Sequence, residues 1–135
     1  MTPALAVLVD RPEAGRGLAA EIGLPHAQRL QRLLLHRALA AAAAAGIAPI
    51  IWFRPPDARA AMQQWLGEGL ELRPQGSGTL GARISAAVAG AVLPAGWFAL
   101  IRLSPGLEDA LPQAVTALDE APYVIGPSSD GGCYL

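Results

Sequence analysis

Apolar residues in this chain come in short continuous runs bounded by glycine, proline and charge, and these runs alternate with stretches of helical spacing. Ala4-Leu5-Ala6-Val7-Leu8-Val9 contains no polar position, the pattern of a strand covered on both faces, and it ends at Asp10. Residues 10–23 hold Pro12, Gly15, Gly17 and Gly23 among charges and read as a loop, either beside a site or merely exposed. From Pro25 to Ala45 the apolar residues Ala27, Leu30, Leu34, Ala38, Ala41 and Ala45 recur at three- and four-residue steps, which predicts a helix packed along that stripe. Pro25 suits its first turn and Gly46 the position after its end.

The alternation continues. Ile47 to Phe53 reads as a second strand, with Pro49 near its start pointing to an edge position or a late beginning. Arg54-Pro55-Pro56-Asp57 stops it and caps a short helix from Ala58 to Leu66, in which Met62 and Trp65 are expected in the core. Leu70 to Arg73 alternates apolar with charged as a short, half-exposed strand. A Gly-rich loop, Gln75-Gly76-Ser77-Gly78, then meets an N-cap at Thr79 and an Ala-rich helix to Ala91. Gly96 to Leu103 is the strand with the most central character. Glu108, Asp109 and Pro112 open an amphipathic helix to about Leu118, and Tyr123 to Ile125 leads into Gly126-Pro127-Ser128-Ser129-Asp130-Gly131-Gly132. The order βαβαβαβαβ predicts an α/β fold, a three-layer αβα sandwich with a mainly parallel sheet.

The loop at 126–132 is where the chemistry is expected. Ligands of open α/β sheets sit outside the carboxyl ends of strands. There the Gly pair admits a close backbone approach, and Asp130 is the one group that could hold a cation or a hydroxyl. A turn whose aspartate satisfies its own backbone fits the same residues. At Thr79, the free N–H groups of a helix start with Arg83 one turn in would suit a phosphate, and a plain connection fits equally well.

Length and composition narrow the field. With 135 residues and 53% hydrophobic content the chain, 1–135, suits one domain. Ten basic residues, all arginine, face eleven acidic ones for a net charge of -1, without a basic cluster, so a nucleic-acid partner is not expected. Lysine is absent, which removes Schiff-base and Walker-type chemistry. The single cysteine, Cys133, precludes an internal disulfide, and with no histidine near it the thiol reads as structural. His26 and His36, ten residues apart, read as ordinary histidines and not metal ligands. The first apolar run is too short for a membrane span or signal peptide, so a cytoplasmic protein without a membrane partner is expected.

Taken together, Pro12 with Gly15-Arg16, Gln75-Gly76 with Leu80-Gly81 and Arg83, a strand leading to Ser104-Pro105, and Gly126-Pro127 with Asp130-Gly131-Gly132 resemble a bacterial family of GT-A-fold glycosyltransferase-like proteins. The family is labelled DUF2064 or arsenosugar-type glycosyltransferase, and it is related to molybdenum-cofactor and phospholactate guanylyltransferases. The resemblance runs the length of the chain. It implies a nucleotide-diphospho-sugar transferase fold and a nucleotide or nucleotide-sugar site. It carries nucleotide-binding roles onto Pro12, Gly15, Arg16, Gln75, Gly76, Gly81, Arg83, Gly131 and Gly132, and a catalytic role onto Asp130.

The chain also departs from that pattern. The family's first loop continues from Gly-Arg into a Lys-Thr-Arg phosphate grip, where this chain has Gly17-Leu18-Ala19-Ala20. The family's central strand ends in the aspartate expected to hold Mg²⁺ or Mn²⁺, where this chain has Leu103, which cannot ligate either ion. Where the family has aspartate before the third helix, this chain has Thr79. Asp10 and Asp130 are the residues left that could replace the missing ligand. The departures imply weakened or lost metal-dependent transfer, or a non-catalytic relative that binds a nucleotide or a protein partner. Family members also continue beyond the Asp-Gly-Gly, so the sheet surface near Leu135 is expected to pair a homodimer, an expectation that a monomer in light scattering at micromolar concentration would exclude.

Overall fold

A computed structural model describes residues 4–89, 97–100, 107–121 and 125–126. Four strands, β1 (Ala4–Asp10), β2 (Ala48–Arg54), β3 (Glu71–Pro74) and β4 (Trp97–Leu100), form a sheet in the order β3-β2-β1-β4, and every pairing is parallel. Five helices accompany them: α1 (Gly17–Ile22), α2 (Leu24–Ala44), α3 (Arg59–Leu66), α4 (Leu80–Ala89) and α5 (Leu107–Leu118). The chain winds outward from β1 through β2 to β3, then returns through α4 to place β4 on the other side of β1. Ligands bind at the carboxyl ends of such sheets.

The strand pleat sorts β1 between two faces. Leu5, Val7 and Val9 join Leu35, Ala38 and Ala42 of α2, Met62 of α3, and Leu111 and Ala114 of α5 in the larger core cluster. Leu8 packs on the opposite face with Trp52 and Ala87, against Ile84 of α4. The expected sandwich is present: α2, α3 and α5 cover one face and α4 the other. No helix among the described residues is long and apolar enough to cross a membrane.

Element ends follow local chemistry. Helix α2 closes as expected at Gly46, whose φ of 70 suits glycine. The Gly46 N–H donates to Ala43 O at 3.1 Å and the Ile47 N–H to Ala42 O at 2.9 Å, the paired bonds of a Schellman end. Thr79 caps α4 as expected, its Oγ1 accepting from the Ala82 N–H at 3.2 Å.

Several expectations are corrected. The segment 10–23 is not all loop, because α1 forms from Leu18-Ala19-Ala20-Glu21-Ile22 once Gly17 has turned the chain, and Ala19 is buried. Asp57 does not cap α3: it lies in a 3₁₀ turn, Pro56–Ala58, and its carboxylate pairs with Arg11 at 3.5 Å. Strand β2 is interior although it carries Pro49. The Phe53 carbonyl accepts from Gln75 on the β3 side and the Arg54 carbonyl from Arg11 on the β1 side. Alternation therefore turns Pro49 toward β3, whose pairing starts one residue later at Ile50↔Glu71, so no ladder bond is missed. Each histidine has a ring nitrogen 3.0–3.1 Å from a backbone carbonyl, Ile22 O for His26 and Trp65 O for His36. Ile125, expected in the last strand, is in no strand and is 69% exposed; the rest of that stretch, the loop 127–132, Leu103, Cys133 and the chain end on which the homodimer rests lie outside the described residues.

Candidate functional site

A cleft of about 900 Å³ opens at the carboxyl ends of β1 and β2, bounded by α1, the first turns of α2 and the start of α4. Its position explains another corrected expectation. Helix α2 runs back against the strands, so its first turns lie beyond the sheet, at the strands' carboxyl ends. Leu30 and Leu34, assigned to the core stripe from their spacing, line the cleft instead, and Leu30 is 38% exposed. The buried stripe comprises Ala27, Leu35, Ala38, Ala41 and Ala42.

Leu18, Leu30, Leu34, Pro55 and Leu80 give the cleft its apolar lining. The same lining holds four arginines, Arg11, Arg16, Arg54 and Arg83, and two carboxylates, Asp10 and Glu13. The charges are organised by strand register. Asp10 and Arg54 are the last residues of β1 and β2 and stand directly opposite one another. Arg54 Nη2 donates to Asp10 Oδ2 at 2.6 Å. That pair carries each strand one residue past its apolar run, as opposite charges across a ladder do. Asp10 Oδ1 lies 3.8 Å from Arg83 Nη1, close enough for an ion pair but not a hydrogen bond. The Gln31 amide of α2 donates to the Asp10 backbone carbonyl, fixing the strand end from the side.

Gln75 ties the ends of β1 and β2 to α4. It follows β3, its N–H donates to Phe53 O at 2.8 Å, and its side chain is 7% exposed, the one polar residue in the core among the described residues. Its Nε2 donates to the carbonyls of Trp52 at 2.7 Å and Val9 at 3.3 Å, while its Oε1 accepts from Arg83 Nη1 at 2.7 Å. The amide is therefore committed inside the protein, and it aims Arg83. The Arg83 side chain is only 11% exposed, and its Nε finds no acceptor among the described residues.

Of the site residues expected from sequence, Pro12, Arg16 and Arg83 line the cleft together with Asp10. Gly15 turns the same loop with a φ of 73 and open space around it. Gln75 lies beneath, followed by Gly76, and Gly81 sits in the first turn of α4 without lining the cleft. Arg16 is paired with Glu13 at 3.3 Å on the surface. Asp130, Gly131 and Gly132 lie outside the described residues. Sequence reading missed Arg54, Gln31 and Arg11. The available signal for Arg54 was a lone charge closing the apolar run Ile50-Ile51-Trp52-Phe53.

A divalent cation fits these residues poorly. Among the described residues no three His, Cys, Asp or Glu side chains group together, and both oxygens of Asp10 face guanidinium groups.

Comparisons with known proteins agree with this architecture. No curated protein matches the sequence. A solved structure from Desulfovibrio desulfuricans, described as a candidate nucleotide-diphospho-sugar transferase, superposes with a TM-score of 0.81 at 24% identity. The match covers 99% of this chain but 62% of the other, so this chain spans less than two thirds of that protein's length, and the likeness establishes the fold. The family model described as "Uncharacterized protein conserved in bacteria (DUF2064)" matches residues 34–135, more than half of the sequence. The chain thus belongs to the DUF2064 family, and it shares the fold of the Desulfovibrio desulfuricans protein.

Proposed function

We propose that the cleft binds a nucleotide or nucleotide-sugar, and that this chain is a transferase-like member of its family whose metal-dependent catalysis is weakened or lost. The observation that carries the reading is that Arg16, Arg54 and Arg83 line one cleft at the strand ends together with apolar side chains. Guanidinium groups match phosphate oxygens in a planar fork, and leucine and proline side chains accept the face of a base. Loss of catalysis is supported by Leu103 in the position where the family resemblance expects a metal-binding aspartate. It is supported also by the engagement of Asp10 with Arg54 and Arg83. Metal-assisted transfer needs a cation to neutralise the leaving diphosphate, a contribution of several kcal/mol.

The test is calorimetric titration with GDP, UDP, GTP and UDP-glucose, each with and without Mn²⁺. The expected result is binding in the micromolar range, on the order of 8 kcal/mol, in the absence of metal. Binding that requires Mn²⁺ and vanishes in Asp130→Ala would restore a working metal-dependent donor site. No heat with any nucleotide would favour the second reading, a scaffold that engages a protein partner.

A further inference from the structure

We propose that Asp10 is an internal counter-ion for the anion-binding arginines, and that a pyrophosphate-bearing ligand enters the cleft by displacing its carboxylate from Arg54 and Arg83. The inference rests on the reading that this cleft takes a phosphorylated ligand. It goes beyond that reading in assigning Arg54 to the ligand and Asp10 to a competing role.

The geometry around Asp10 carries the argument. Arg54, the last residue of β2, and Arg83, on α4, converge on the carboxylate of Asp10, one through each oxygen. Asp10 satisfies the two unequally, with a hydrogen bond to Arg54 at 2.6 Å and a separation of 3.8 Å from Arg83. A carboxylate has two oxygens on one carbon and cannot span both forks. A pyrophosphate, with more oxygens spread over a longer group, can. Arg83 is held in place by Gln75 and has a buried Nε with no acceptor among the described residues, so donor capacity remains there. The Asp10 and Arg54 side chains are 53% and 42% exposed, so Asp10 can turn toward water while Arg54 changes partner. Without an anion in the cleft, two guanidinium groups drawn together by the fold would repel each other, and Asp10 offsets that repulsion. The other lining charges are already paired on the surface, Arg11 with Asp57 and Arg16 with Glu13.

Removing the counter-ion should therefore improve anion binding, the opposite of what a binding or metal-ligating carboxylate would show. The probes are inorganic pyrophosphate and UDP, titrated without metal into the wild-type chain, Asp10→Asn, Arg54→Gln and the double variant, with circular dichroism to verify folding. Asp10→Asn is expected to bind pyrophosphate about fivefold tighter and Arg54→Gln about fivefold weaker, the scale of one exposed ion pair. In the double variant the gain over Arg54→Gln should be smaller than that of Asp10→Asn over wild type, because only Arg83 is left to be released. Asp10→Ser, which also removes the charge, gives the same comparison should Asp10→Asn fold poorly. Equal or weaker pyrophosphate binding by the charge-removed variants overturns the counter-ion role, and the nucleotide reading survives if UDP still binds. Tighter pyrophosphate binding with no UDP binding by any variant leaves the counter-ion standing and removes the nucleotide reading. No binding of either probe by any variant overturns both.

Discussion

Phe53→Ala is expected to lower the free energy of unfolding by about 3–5 kcal/mol, the range for deleting a fully buried aromatic ring. Phe53 is 1% exposed, and it heads the fully buried side chains by volume among the described residues. It lies on β2, an interior strand, so its ring packs between elements that cannot collapse inward without breaking ladder pairing on either side. The Arg59 guanidinium stands 5.1 Å from the ring centroid, an interaction the substitution also removes. Against a total stability of about 5–15 kcal/mol for a domain of this kind, the loss is large enough to leave a measurable unfolded fraction near physiological temperature. Urea titration followed by circular dichroism would show the midpoint falling at constant slope. A loss under about 1 kcal/mol would mean that the ring is not the centre of the core. Phe53→Leu, which refills most of the volume, should cost much less.

The parts of this protein legible in the sequence are those in which a local pattern and its tertiary use coincide. The β1 run is wholly apolar because both faces of the strand are covered, so composition alone reveals the strand. Gly46 and Thr79 were readable because helix ends are satisfied by neighbours within a few residues. Leu30 and Leu34 were misassigned for the converse reason. Their spacing is that of a core stripe, and only the antiparallel run of α2 against the sheet shows that the stripe leaves the core before the helix begins. Arg54 was invisible because its partner, Asp10, is 44 residues earlier and the strand register alone sets them opposite one another. Family resemblance points to Gln75 but says nothing of its internal bonding. Its amide faces three groups brought from β1, β2 and α4, a combination that sequence spacing cannot convey.

That use of Gln75 makes Gln75→Leu the most informative substitution at the site. Leucine has a similar volume, so the expected cost of about 2–3 kcal/mol comes from polar groups left unmatched and not from a cavity. Arg83 would lose its buried acceptor and keep only the 3.8 Å ion pair with Asp10, and a guanidinium so poorly compensated at 11% exposure is costly. The Val9 and Trp52 carbonyls would lose a donor while remaining in the strand ladders, a smaller effect. Removing the charge as well should restore stability in part. Gln75→Leu with Arg83→Met is expected to be more stable than the sum of the single effects by about 1–2 kcal/mol, the coupling typical of groups in one network. Additive single costs would show that the Gln75–Arg83 bond does not carry the effect. A stability change alone does not distinguish packing from aim, so pyrophosphate affinity well below the melting transition supplies the second readout. Gln75→Leu retains all four cleft arginines, yet its affinity should fall about as far as that of Arg83→Ala, because an arginine without its acceptor no longer presents its donors at the strand ends. If Gln75→Leu destabilises the fold while binding is unchanged, Gln75 acts only in the core, and the anion site consists of Arg54 and its exposed neighbours.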